Sequence, residues 1–202
     1  MIKAVLRAFA LLLVAPMAIM ELIARAAVSR DVFFEGQSQL LSLIPGRPGM
    51  YLRVAYYRMT LKHCAPDCCI EFGTVFSRSE AEVGARAYVG QRCSIGNASI
   101  GANTMLSDGV YVLSGGAQHG TAAGARAFQD QAVEFRRVTI AENCWIGTAA
   151  IVMADVGVGT VIGAGTVVTK PVPAGVVAVG VPARVVRPVA PEAVAAEAAK
   201  PR

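Results

Sequence analysis

Histidine is nearly absent from this chain of 202 residues, which has only His63 and His119. Two are too few for a three-histidine zinc centre, so hydration chemistry of the metal-dependent kind has no ligand set. The five cysteines, Cys64, Cys68, Cys69, Cys93 and Cys144, are odd in number and unevenly spaced. That is a poor disulfide framework and suits a reducing compartment. The run His63-Cys64-x-x-Asp67-Cys68-Cys69 lacks a second pair of ligands at zinc spacing, so small, half-buried thiols are expected there and no metal. Charged residues make up only 16% of the chain, and the mean hydropathy of +0.50 is high for a soluble protein. No glycine-rich loop of the nucleotide-phosphate type is present. The net charge of +5 is local: residues 1–62 hold eight basic residues against three acidic ones, and the remainder is neutral. The larger part of the chain therefore offers no basic surface for nucleic acid.

What the chain has instead is a short period. From Ile140 to Arg187 an aliphatic residue recurs about every six positions, at Ile140, Ile146, Val152 and Val158, then at Ile162 and Val168. Glycine follows it at Gly147, Gly159 and Gly163. This is not the 3–4 residue rhythm of a helix, and glycine and β-branched residues both disfavour one. A fixed short period implies one small unit stacked on copies of itself, here short parallel strands with one aliphatic residue inward and a small residue at each corner. The same rhythm runs earlier through Ile70, Val83, Val89, Ile95, Ile100, Leu106 and Val112, with one five-residue step. It stops at Ser114 and resumes at Val138 or Ile140. Residues 114–137 are expected to be a loop thrown out from the coil, and a loop of that length in a compact fold calls for a function.

The motifs C-W-I-G at Cys144–Gly147, I-G-A-G-T-V-V-T-K at Ile162–Lys170 and V-P-A-R-V-V-R at Val181–Arg187 resemble those of the hexapeptide-repeat acyltransferases. Similar signatures occur in galactoside, maltose and polysaccharide acetyltransferases. The resemblance covers roughly residues 70–187. It implies a mainly β protein built on a left-handed parallel β-helix, an acetyl-CoA donor, a sugar or glycan acceptor, and a homotrimer with active sites between solenoids. An imidazole titrates near neutral pH and suits the base that takes the acceptor's proton. The resemblance assigns that role to His119, 26 residues before Trp145. A backbone carbonyl or Glu134 is left to orient it. The matching positions for the donor are Thr148 beside the thioester arm, Ala164 as a backbone contact, Thr169 and Lys170 along the cofactor, and Arg184 and Arg187 for its phosphates. The alternative for the two arginines is a solvated end strand. Two departures stand beside this groove: Pro171 replaces the acidic residue usual after T-K, and the coil at Val158–Val161 is two residues short.

The chain divides at this level into an appendage, residues 1–62, a solenoid, 63–187, and a tail, 188–202, with no role assigned to the tail. In the appendage Ala8–Met20 is thirteen uncharged residues broken by Pro16, short for a membrane span. A secretory signal is the rival, since Lys3 and Arg7 give a charged start. The preferred reading is a membrane-lying or re-entrant helix, kinked at Pro16, with Arg25, Arg30, Arg47, Arg53 and Arg58 near anionic headgroups. The other is a hydrophobic helix packed on the solenoid or on a neighbouring subunit. Met50–Leu61, with Tyr51, Tyr56 and Tyr57, reads equally as an interfacial helix or as a core helix at the solenoid's entrance. The function expected is therefore acetyl transfer from acetyl-CoA to a sugar hydroxyl or amine, at the cytoplasmic face of the inner membrane, in cell-surface polysaccharide or lipid-linked glycan synthesis. Soluble sugar-nucleotide N-acetylation is the close variant, and a non-catalytic scaffold is the reading from another class. A solenoid hydratase of the γ-carbonic-anhydrase kind lacks its third histidine.

Overall fold

The computed structural model describes residues 2–27, 31–116, 127 and 130–190. Among them three helices, α1 (Ile2–Ala27), α2 (Val32–Ser42) and α3 (Gly46–Thr60), precede a β-solenoid of about five turns. The strands of the coils are two to four residues long and pair in parallel into three flat faces.

Each face has a ladder of inward side chains. Face one carries Cys64, Val83, Ile100 and Ile140, continued by single bridges to Val156 and Val172. Face two carries Ile70, Val89, Leu106, Ile146, Ile162 and Ala178. Face three carries Phe76, Ile95, Val112, Val152 and Val168. All of these are buried. A fully buried aliphatic side chain contributes about 1.5–3 kcal/mol, so the ladders form the core that no single coil has alone.

The six-residue step is strict at two of the three corners. It holds from every face-one residue to face two, and from face two to face three. Every departure falls at the corner from face three back to face one. Phe76 to Val83 is seven residues, Ile95 to Ile100 five, Val112 to Ile140 twenty-eight, and Val152 to Val156 and Val168 to Val172 four each. Val158 is therefore not an inward residue; it is 47% exposed, and Val156, at 2%, takes the place expected for it. The shortened coil is a tight corner rather than a missing part of a strand. Phe76, also an inward residue, is hidden in the sequence by the seven-residue step that follows it.

Tight corners need close backbone approach. A Cβ on Gly147 would lie 2.5 Å from the Ala164 nitrogen of the next coil, so no side chain fits there. Buried threonines satisfy the corner backbone: Thr104 Oγ1 donates to the Ala141 carbonyl at 2.7 Å and accepts from the Cys144 N–H at 3.1 Å.

The helices close the first coil. Arg53 is fully buried, its Nε donating to the Ile70 carbonyl at 3.0 Å and its Nη1 to the carbonyls of Leu41 and Ile44. It is thus a structural cap and does not face lipid headgroups, contrary to the sequence expectation. Tyr56 and Tyr57 are likewise buried, stacked among Phe34 and Phe76, so α3 is the core helix at the solenoid's entrance. Ser38 Oγ accepts the Phe76 N–H at 2.8 Å, and the Gly73 N–H donates to the Ser42 carbonyl at 2.9 Å. Asp31 accepts from the Ser79 N–H and hydroxyl and pairs with Arg78 at 3.1 Å. At the far end Arg184–Pro188 folds back antiparallel on Val176–Val179.

Helix α1 is longer than its apolar core suggests. It spans 26 residues through Pro16, about 39 Å at 1.5 Å per residue, and by length and composition could cross a membrane. Ala10, Val14, Ala18 and Glu21 are buried along it, while Val5, Phe9, Leu12, Ile19 and Ile23 are exposed. Arg25 and Arg30 have no described side chains, and residues 191–202 lie outside the described residues.

Two substitutions test this architecture. At Gly49 a Cβ would lie 1.9 Å from the Ile44 carbonyl oxygen and crowd Arg53. Gly49→Ala is expected to cost more than about 2 kcal/mol in urea unfolding. Ile146→Ala, in mid-ladder, is expected to cost about 2–5 kcal/mol.

Candidate functional site

The irregular corner is where chain leaves the coil. Ser114, Gly115 and Gly116 lead out, and residues 130–137 lead back. The two stems are stitched together: the Arg136 N–H donates to the Ser114 carbonyl at 3.0 Å, and a Cβ on Gly115 would lie 3.1 Å from Arg136 Cβ. Ser114 Oγ also accepts the Asn97 N–H at 2.8 Å from the coil above.

Charged side chains hold the returning arm against the coils on both sides. Arg136 pairs with Asp155 at 3.0 Å, and Asp155 Oδ1 accepts the Thr139 N–H at 2.8 Å. Arg137 donates to Glu82 at 3.1 Å and to the Glu80 carbonyl at 2.7 Å. Arg78 stacks on the Phe135 ring, 3.9 Å from its centroid. Glu82 is the hub, accepting also from Lys62 at 2.8 Å and from the Ser99 hydroxyl at 3.0 Å. The Lys62 hydrogen bond, supported by Ser99 and by the charge of Arg137, holds its carboxyl below the usual range. Sequence reading missed this clamp. Its visible signal was Glu80 and Glu82 within one irregular step and Arg136-Arg137 within another, but sequence alone does not stack those corners.

His119, the proposed base, lies outside the described residues, three positions beyond Gly116. Glu134, named as its possible orienter, is exposed on the returning arm.

The donor-binding candidates fall into three groups. Thr148 and Ala164 line one edge, between faces two and three of adjacent coils; the Gly165 N–H donates to the Thr148 carbonyl at 2.8 Å, and both residues are exposed. Gly180 and Ala183 continue this edge: the Gly180 N–H donates to Thr166 Oγ1, and the Ala183 N–H to the Val167 carbonyl. Thr169 and Lys170 lie on the irregular edge, one coil below Asp155, whose carbonyl accepts the Val172 N–H. Between the two edges, the outward residues of face three include Tyr111, Ile151 and Val167, in register. Arg184 and Arg187 are apart, on the exposed antiparallel end strand opposite Val179 and Val177. Trp145 is half exposed on the same sheet, its Nε1 donating to Ser107 Oγ at 3.2 Å. The structure thus brings together Thr148 with Ala164, and Thr169 with Lys170, and keeps the arginine pair on another face.

Ala164 is exposed at its edge, and Lys170, Arg184 and Arg187 have no carboxylate partner among the described residues.

No family model matches the chain. It is 50% identical over 52 residues to galactoside O-acetyltransferase of Escherichia coli, covering 25% of this chain and 26% of that protein. It is 35% identical over 96 residues to WcaF of Escherichia coli, named as an acetyltransferase of colanic acid biosynthesis, covering 46% of this chain and 49% of that one. The chain therefore spans between a quarter and a half of the length of these relatives. In fold it is similar to a maltose O-acetyltransferase from Clostridium difficile, with a TM-score of 0.68, 24% identity, and coverage of 80% of this chain and 88% of that one.

The Glu82 hub gives a pH prediction. Its folded-state pKa lies below its ordinary 4.5, so its stabilisation is complete above that value and is lost as pH falls through the lower, folded value. Glu82→Gln is expected to flatten the acid limb of the stability profile below about pH 4.5. Arg137→Ala should speed proteolytic cleavage within 127–137 at neutral pH while leaving the thermal midpoint nearly unchanged.

Proposed function

We propose that this chain, whose repeat coils belong to the hexapeptide-repeat β-helix acetyltransferase family, transfers the acetyl group of acetyl-CoA to a hydroxyl of a sugar. The observation that carries this reading is the edge on which Thr148 and Ala164 stack, in a chain related to sugar O-acetyltransferases. Acetyl-CoA supplies an activated carbonyl on a good leaving group. The protein has to hold that carbonyl beside a base and keep competing water away.

The backbone at Thr148 and Ala164 holds the thioester arm along one edge. Lys170 offers positive charge on the next edge, and Arg184 and Arg187 offer planar, two-pronged donors to phosphate. His119 takes the proton from the acceptor hydroxyl as its oxygen attacks, then returns a proton to the departing sulfur. The stitched stems at Ser114 and Arg136, on the irregular edge, support this assignment. The separation of the candidates over two edges and one face supports a homotrimer in which one solenoid supplies the base and its neighbour completes the donor groove. Exposed Met105, Tyr111 and Trp145 on the coil faces support the same assembly.

The exposed apolar side of α1 supports membrane association at the cytoplasmic face. An in-plane helix fits better than a spanning one, because Ala10, Val14, Ala18 and Glu21 are already packed against protein. A glycan acceptor from cell-surface polysaccharide synthesis suits that location.

Acetyl transfer to sugar acceptors tests the reading. His119→Ala is expected to lower kcat by about 10²–10⁴ with CoA affinity unchanged by calorimetry. Undiminished turnover would remove His119 from the mechanism. Absence of any heat with CoA, in wild type, would favour a scaffold.

A further inference from the structure

The helical cap holds a cavity that acetyl transfer does not use. It lies between α1, α3 and the first coil, measures about 450 Å³, and has Lys3, Arg7, Arg47, Tyr51, Asp67 and Cys69 in its wall. Among the described residues, none of the three cations has a carboxylate partner; Arg47 makes only a weak contact to the Met50 sulfur. Asp67 is the one carboxylate in the wall, and its Oδ1 accepts the Arg86 N–H at 3.3 Å. Three cations against one anion leave an excess of two positive charges facing one hollow.

A second hollow of about 260 Å³ adjoins it and shares Leu6, Arg47 and Tyr51 with it. Its remaining wall is apolar, with Phe9, Leu13, Pro48 and Leu52 prominent. It opens onto the uncovered side of α1, where Phe9, Leu12 and Leu13 are 59%, 74% and 54% exposed. A positively charged chamber thus runs directly into an apolar trough.

We infer that this paired hollow binds an anionic membrane lipid, with its phosphate on Lys3, Arg7 and Arg47 and the start of its hydrocarbon chain in the trough beside Phe9 and Leu13. The shape selects the ligand. A small soluble phosphate would satisfy the cations and leave the trough facing water, which apolar surface of this extent avoids. A second copy of the chain, docked by two-fold symmetry, would bring two cation clusters together, and like charges juxtaposed at an interface repel. A lipid with a charged head and an apolar tail meets both walls at once. The inference rests on the in-plane placement of α1 and is independent of the acetyl transfer.

The site also sets where the protein sits. Cys69 and Trp145 are on the same sheet with two strands, those of Tyr88 and Met105, between them. Three strand spacings separate them, about 14 Å. A lipid phosphate held at the cap would therefore keep the coil of Thr148 within reach of a short glycan at the bilayer surface.

The test is vesicle co-sedimentation of the full chain with phosphatidylcholine alone and with phosphatidylcholine containing phosphatidic acid. Binding is expected to require phosphatidic acid. Each basic residue near an anionic surface is worth about five-fold in affinity, so Lys3→Gln, Arg7→Gln and Arg47→Gln together should weaken binding about 100-fold. The control variant, Lys62→Gln, Arg86→Gln and Arg92→Gln, removes three charges outside the paired hollow and should retain most of the affinity. Wild-type affinity in the first triple variant, with unchanged thermal midpoints, overturns the site and leaves membrane association standing. Equal binding to both vesicle types overturns it as well. No sedimentation with either vesicle overturns the in-plane reading and the site together. Inorganic phosphate that displaces the protein from vesicles at micromolar concentration would assign the cations to a soluble ligand and overturn the lipid.

Discussion

A stack of parallel strands has to end, and the fold is organised by how it ends. Inside the solenoid, the strand backbone of each coil is paired with the coils on either side, and buried threonines such as Thr104 serve the corners. The first and last coils have one side open, and an open edge is a template for association. Arg53 resolves the first end. Its guanidinium reaches the Ile70 carbonyl from α3 and at the same time holds the α2–α3 turn through Leu41 and Ile44. Burial lowers the proton affinity of this group, opposed by the nearby Tyr57, Glu71 and Cys69, while three carbonyls accept its hydrogen bonds. Ser38, Ser42 and Asp31 take up neighbouring N–H groups, and a strand folded back antiparallel closes the other end.

That requirement explains why the appendage is a cap as well as an apolar surface. One side of the helical layer is committed to the coil: Phe34, Tyr56 and Tyr57 pack over Phe76 at the solenoid's mouth. The side of α1 away from the protein carries Val5, Phe9, Leu12, Ile19 and Ile23 in the open. Nothing in closing a solenoid calls for those residues, and they are what the proposed membrane association draws on.

Irregularity is confined in the same economical way. Two corners keep the six-residue step throughout, and one corner takes steps of four, five, seven and twenty-eight. Because chain length changes there without disturbing the ladders on any face, a long excursion costs the core nothing. The charges that secure the returning arm, from Arg78 through Glu82 and Arg137 to Arg136 and Asp155, line that one edge. Thr169 and Lys170 continue it downward, so the returning arm and two of the candidate donor residues share a ridge.

Much of this was legible in the residues themselves. The period, the corner glycines and the motifs around Trp145 and Thr169 fix a stacked coil, because a two-residue strand with one inward aliphatic side chain has few other ways to be buried. Val158 was misread because periodicity counts positions and cannot see which corner is tight. Phe76 was missed for the same reason. Arg53 carried a charge and was read as surface, since a sequence does not reveal three carbonyls converging from separate elements. The sequence by itself determined the repeating unit and the residue types of the proposed chemistry, both of which are encoded within a few neighbouring positions. Only the tertiary structure decided which residues share an edge, which cations are spent on capping, and which are left facing a hollow, because those follow from the stacking of positions far apart in the chain.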